Sequence, residues 1–319
     1  MRGWLSGALL VAACAAHAQD VTAGGTRLHF ATAEEARRLI VVDDDWTSTM
    51  GSFHRAATAG QSQGTVTDAA LKLALASTAV ECAPAETGRW GAAFARMAPR
   101  LRELRVDLPP VVTFACTNGR DGTNAPHTRG DTVFMPQDES PKRESVDSLL
   151  AHELFHIFSR RHPAAADRLY ALLGFTPAPG LAWPAEWSDA RLSNPDAPAD
   201  RHTIRVTIGE DRFDVMPVLV ARRLSLEPGQ TIFNVLDVRL LAVQAAPDGR
   251  SSEPLRRDGQ LVWFPAMRTR AYLEQLGGNI SYVIHPEETM ADNVAFLAVG
   301  RAVPNAALLE NVRRTLANP

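Results

Sequence analysis

A chain of 319 residues with 45% hydrophobic and 22% charged side chains carries ample apolar surface for one large globular unit or two smaller ones. A formal net charge of −3 offers no basic face for nucleic acid. Past the N-terminal segment no apolar run is long enough to span a membrane.

Residues 1–18 have the build of a signal peptide: Arg2, an apolar stretch, then Ala16, His17 and Ala18 as a small-residue cleavage site before Gln19. The run Val11, Ala12, Ala13, Cys14 also fits a lipoprotein cleavage pattern, which would make Cys14 a lipid anchor. Both readings export the chain, to the periplasm or beyond. They leave Cys82 and Cys116, which an oxidising compartment pairs as a disulfide; two buried free thiols are the alternative.

In chain order, residues 31–40 and 67–82 read as helices, and 87–105 as a longer one with apolar positions at helical spacing. After Pro109 and Pro110, residues 111–116 (VVTFAC) read as a strand. A polar loop leads to a second strand at 132–136 (TVFMP). Ser140 and Pro141 mark the start of a helix predicted over 141–161. Residues 175–200 are Pro-rich, an ordered loop with Trp183 and Trp187. Strand-like runs follow at 203–209, 213–222, 232–244 and 261–265. A helical part begins near Thr269, and its last predicted helix opens at Pro286 and ends at Gly300. The divisions are therefore 19–162, a β-rich insertion at 163–268, and a C-terminal helical part at 269–319.

The chemistry lies in HELFH, residues 152–156. Histidines four apart share a helix face and can present nitrogens to one tetrahedral Zn²⁺. At about 100° per residue, His156 falls about 40° and Glu153 about 100° from His152. In residues 149–158 these are the only polar side chains, a narrow wedge on an otherwise apolar helix. A merely solvated stripe would more often hold Lys, Glu, Gln and Ser. Glu153 is placed to act as general base on a zinc-bound water, whose pKa the metal lowers to about 7.

A third ligand is needed. His162 follows His156 by six residues, but Ser159, Arg160 and Arg161 let the helix continue, which would turn His162 about 120° away from His156. An exposed histidine at a helix C-terminus accounts for it better. The run HPEETMAD (285–292) offers Glu288, with Asp292 four residues on along the same helix face. Glu288 is then the ligand and Asp292 the partner of the second ring nitrogen of His152. Glu287 reads as an acid favoured near a helix N-terminus.

HELFH followed by EETMAD with E-x-x-x-D spacing resembles the gluzincins, the thermolysin-like class of zinc metallopeptidases. The run HTRGDTVFMP (127–136) is similar to the edge strand that rims the substrate cleft in that class. The resemblance covers about residues 110–160 and 280–300. It implies an α+β, zincin-like fold, with a mixed sheet packed on the HExxH helix and a β-rich insertion before the second ligand helix. It further implies one zinc ion and a peptide or protein substrate. The gap of about 130 residues between the motifs far exceeds thermolysin's spacer, so substrate preference does not transfer. A G-x-M-E-N exopeptidase motif is missing, which leans toward cleavage within chains. Tyr282 and His285, just before Glu288, are candidate donors to a tetrahedral oxyanion. Tyr170 and Tyr272 are weaker ones, and Trp183 and Trp187 could line a cleft. A monomer is expected. The rivals are a metzincin-type enzyme using His162, a zinc hydrolase acting on a non-peptide acyl group, and a non-enzymatic exported binding protein.

Overall fold

The computed structural model describes residues 20–121, 125–137 and 146–318. The predicted signal segment, Cys14, Ser140 and Pro141 lie outside the described residues. A short hairpin, β1 (Val21–Ala23) and β2 (Thr26–Phe30), comes first, too brief to show an alternating pattern in sequence. Helix α1 (Ala33–Ile40) starts at Thr32, whose side chain and Glu35 form a reciprocal capping box. Two short helices, α2 (Asp45–Thr49) and α3 (Ser52–Thr58), precede α4 (Asp68–Ala76). The helix predicted over 67–82 ends early, because Ala79 and Val80 pair as β3 (Ala79–Val80) with the next long strand. Beyond β3, Cys82 is bonded to Cys116. Helix α5 (Pro84–Glu103) opens with Pro84 in its first turn, where a missing N–H costs nothing.

Strand β4 (Val111–Thr117), β5 (His127–Arg129) and β6 (Thr132–Pro136) complete a mixed sheet of order β1-β2-β4-β6-β5, with β3 beside β4. β2, β4 and β6 are parallel, and β5 runs antiparallel to β6 as the outer strand. The edge is thus His127–Arg129, inside what reads in sequence as a polar loop, and TVFMP is interior.

One face of this sheet presents Leu28, Phe30, Val112, Phe114, Val133 and Met135 to α5 and to helix α6 (Val146–Arg161). The other presents Ala115 and Phe134 to α1, α4 and Trp46. Leu150, Leu154, Phe155 and Ile157 of α6 are wholly buried. At about 1.5–3 kcal/mol each, such anchors hold the helix rigidly against the sheet. α6 runs unbroken to Arg161, and α7 (Pro163–Ala171) starts anew after His162.

The region from 175 onward forms a second, antiparallel sheet of order β11-β10-β9-β8-β7, with β14 also on β10. Its strands are β7 (Phe175–Pro177), β8 (His202–Ile208), β9 (Asp211–Ala221), β10 (Leu236–Ala245), β11 (Ser252–Pro254) and, beyond the β12 (Arg256–Arg257) and β13 (Gln260–Leu261) hairpin, β14 (Trp263–Pro265). The strand predicted from 232 starts four residues later, because Thr231 and Asn234 cap a single 3₁₀ turn. Ile204, Val206, Val215, Val238 and Leu240 join the same core as α5 and α6. After α8 (Arg270–Gln275), helix α9 (Pro286–Val299) packs along α6 and stops at Gly300, whose φ of 67° suits a left-handed cap. Helix α10 (Ala306–Ala317) closes the chain against α9 and α7. The architecture is α+β, two sheets around a helical centre. No helix among the described residues is long and apolar enough to cross a membrane.

Candidate metal centre

α6 and α9 cross where their polar residues meet. His152 Nδ1 lies 2.8 Å from Asp292 Oδ1, and its Nε2 lies 3.2 Å from Glu288 Oε2. One turn along α6, His156 Nδ1 lies 2.7 Å from Glu287 Oε1, and its Nε2 stands 3.9 Å from Glu288 Oε2. Each imidazole thus has its Nδ1 engaged by a carboxylate of α9. A carboxylate accepts there only from a protonated Nδ1, which makes Nε2 of each ring, beside Glu288, the atom that would offer a lone pair to a metal in exchange for its own proton. His156 Nε2 is buried and has no hydrogen-bond partner.

Ligand atoms of His152, His156 and Glu288 all lie within 4.8 Å of one another. Two imidazoles and a carboxylate on two rigid helices are a donor set suited to zinc. An unpartnered buried nitrogen turned toward a carboxylate is what a cation would satisfy. These residues are positioned to hold a metal ion. A second grouping, Glu153, His156 and Asp196, shares His156 and meets the same criterion.

The electrostatics carry the same stamp. Burial would lower the His152 pKa, but the charge and hydrogen bond of Asp292, with Glu288 behind them, raise it well above the ordinary value. For His156, burial is likewise outweighed by Asp196, Glu287 and Glu288. Burial pushes Glu288 up, yet hydrogen bonding and charge from the two histidines, with Asn194, hold it at about 2. Its second oxygen accepts from Asn194 Nδ2 at 2.6 Å. Glu153 is only 2% exposed, and burial followed by the Asp196 charge takes its carboxyl up to about 7. Thr128 Oγ1, on the edge strand, donates to Glu153 Oε2 at 2.7 Å.

Tyr282 lines the same 310 Å³ cavity as His152, Glu153 and Glu288, 42% exposed at its mouth. His285 does not enter that cavity. It caps α9, its Nδ1 accepting from the Glu287 N–H at 3.1 Å, and lines a separate cavity with Glu287 and Tyr170. His162 is exposed, its ring tilted against Phe158 with centroids 5.0 Å apart, and outside the ligand cluster. Tyr272 is spent on the Val283 carbonyl. Trp183 and Trp187 pack over the outer face of the second sheet, away from the cavity.

Four participants escape the sequence reading. Glu287 is more than a helix-dipole acid: its carboxylate also accepts from Ser159 Oγ at 2.5 Å and from the Tyr170 hydroxyl, and it orients His156. The signal is in the sequence: two ligand histidines would each want a partner for the second ring nitrogen, and Asp292 serves only one of them. Thr128, Asn194 and Asp196 give no sequence signal, because they come from a short edge strand and a Pro-rich loop.

Comparison with protein-family models, with curated proteins and with solved structures returned no match for this chain.

Proposed function

We propose that the chain is an exported zinc-dependent metallopeptidase of gluzincin type on a zincin-like fold. The observation that carries this reading is the paired orientation of the two imidazoles. Each Nδ1 is tied to its own carboxylate on α9, and both Nε2 atoms stand beside Glu288. Zinc held by His152, His156 and Glu288 would supply Lewis acidity to a water molecule and to a substrate carbonyl.

The chain's own groups do the rest. Glu153, near neutrality at about 7 and oriented by Thr128, is matched to take a proton from water and pass it to the leaving nitrogen. Asp292 and Glu287 keep the two rings in one tautomer. Tyr282, which lines the cavity, is the candidate donor to the developing oxyanion. Export rests on the signal-like residues 1–18, and the bond between Cys82 and Cys116 suits an oxidising compartment.

The test is zinc content of purified wild type, Glu288→Ala, His162→Ala and Glu153→Gln at matched low free zinc, with peptide hydrolysis measured alongside. Expected are one zinc in wild type and in His162→Ala, loss in Glu288→Ala, and zinc retention in Glu153→Gln with hydrolysis down about 10²–10⁴-fold. Loss of metal in His162→Ala alone, or no metal in wild type, refutes the assignment. Cleavage of esters but not peptides would move the substrate to another acyl class.

A further inference from the structure

β5 is the outer strand of its sheet, and Thr128 is its middle residue. The Thr128 N–H points away from β6 and is donated to Asp196 Oδ1 at 2.6 Å. An extended peptide adding to this edge would need that donor for its own carbonyl. Asp196 has already taken it.

The segment that takes it is tied down on several sides. Trp46 Nε1 donates to the Ser193 carbonyl at 3.1 Å, and the Ser193 N–H donates to His54 Nδ1 at 3.1 Å. Arg160 Nη2 donates to the carbonyls of Pro195 and Asp196, each at 2.9 Å. Gly51 lies so close to the preceding turn that a Cβ there would stand 2.4 Å from the Ser188 carbonyl. Residues 193–196 therefore wall off the edge strand where it passes Glu153. Phe233 and Tyr282, in the lining of the same cavity, are 43% and 42% exposed and give it access to solvent. Among the described residues, a chain laid along the strand meets Asp196 where the Thr128 N–H would have received it.

The wall is acidic. Asp196 is 9% exposed, and no lysine or arginine nitrogen lies within 4 Å of its carboxylate among the described residues; His156 Nε2 stands 3.9 Å away, and the charges of Arg160 and His127 act on it from further off. With a dication at the centre, Glu153, Glu287, Glu288, Asp292 and Asp196 still outweigh the positive charge around them. A buried carboxylate persists where a cation pairs with it. Here the open side belongs to the substrate.

Distance selects the cation. The α-nitrogen of an amino acid is about 2.5 Å from its carbonyl carbon, whereas a lysine ammonium reaches about 6 Å from Cα. Ligand atoms of Asp196, Glu153 and His156 lie within 4.8 Å of one another. An acyl carbon beside Glu153 therefore brings its own α-ammonium to Asp196, and a lysine tip overshoots.

We propose that the cavity is a one-ended site in which Asp196 holds the free α-ammonium of a short peptide, so that the chain removes N-terminal residues. This rests on the metallopeptidase reading above, and it departs from the cleavage within chains that the missing G-x-M-E-N motif favours. One water is consumed per bond. Its oxygen ends on the carboxylate of the released residue, and the C–N bond breaks as a proton passes through Glu153 to the leaving amine. Leu192, Ile232, Leu236 and Ile284 make the remaining lining apolar, so leucine is the residue to test.

The experiment uses zinc-loaded full chain with metal content verified. Cleavage of Leu-Gly-Gly is compared with N-acetyl-Leu-Gly-Gly and N-acetyl-Lys-Gly-Gly, and binding of leucine hydroxamate with its N-acetyl form by calorimetry. The expected result is a preference of at least about 100-fold for the free amine in both kcat/KM and affinity. In Asp196→Asn, which keeps an acceptor for Thr128, the preference should fall below about tenfold with zinc content unchanged. Equal handling of free and acetylated probes, preference for the acetylated lysine peptide, or internal cleavage of casein overturns the proposal while zinc is retained. The wild-type ratio decides this even if the variant fails to fold. Absence of zinc from wild type instead refutes the metallopeptidase reading beneath it.

Discussion

Replacing Glu287 by glutamine removes a charge from behind His156 while keeping the shape of the side chain. The carboxylate accepts from His156 Nδ1 at 2.7 Å, from Ser159 Oγ at 2.5 Å and from the Tyr170 hydroxyl. Burial pushes its pKa up, but His156, Ser159 and Tyr170 together hold it below the ordinary carboxylate value, so the charge is present at neutral pH. Outer partners of metal-bound histidines are worth about 10–100-fold in affinity, or about 1.4–2.7 kcal/mol. Glutamine can still accept from Nδ1, so Glu287→Gln belongs near the tenfold end. Alanine leaves His156 Nδ1 and the buried Tyr170 hydroxyl without their acceptor, at about 1–3 kcal/mol for each unsatisfied group, while Ser159 Oγ can still donate to the His156 carbonyl at 3.1 Å. Glu287→Ala should therefore approach a 100-fold loss and also lower folding stability by about 2 kcal/mol or more. Competition with a chelator of known zinc affinity at pH 7.5 measures the first effect, and urea unfolding of the zinc-free protein the second. If both variants bind zinc as wild type does, the carboxylate behind His156 does not orient a ligand, and the α6–α9 geometry is merely structural.

Removing the Cys82–Cys116 bond frees a loop of sequence separation 34 in the unfolded chain. Chain-entropy arguments put the cost at about 3–4 kcal/mol, so the double alanine variant should shift the urea midpoint accordingly, with zinc affinity unchanged. An unaltered midpoint would show that the bond constrains little. Burial lowers the pKa of His54 to about 4, from 6.5. Between about pH 6.5 and 4 the unfolded chain takes a proton that the folded chain refuses, so this histidine subtracts stability as pH falls through that window, by about 3 kcal/mol in all. The raised His152 and His156 add stability as pH falls toward 6.5, above that window, and contribute a constant amount within it. The quantity to read is therefore the stability difference between wild type and His54→Gln across that range. A difference independent of pH would mean that His54 titrates normally and is reached by water.

The spacing of His152, Glu153 and His156 on one helix, and of Glu288 and Asp292 on another, was legible because a helix turns i and i+4 to one side whatever surrounds it. The apolar arc of α6 and the β-branched runs of β4, β6, β8 and β9 were legible for the same local reason. The break between α4 and β3 was not, since only pairing with β4 and the bond to Cys116 favour a strand at Ala79 and Val80. Nor was the edge strand, because three residues of β5 show no alternation and become a strand only by pairing with β6. The two ligand helices were foreseen separately. The spacing already set Asp292 beside His152, but that Glu287 faces His156 follows from how α6 and α9 are packed, and that depends on a core shared with both sheets. The wall of the cavity is the furthest from sequence. Asp196 meets Thr128 across 68 residues and Asn194 meets Glu288 across 94, through a Pro-rich segment without periodicity. Residue spacing encodes what one element shows to its surroundings, whereas a contact between elements exists only once the whole core has set their positions.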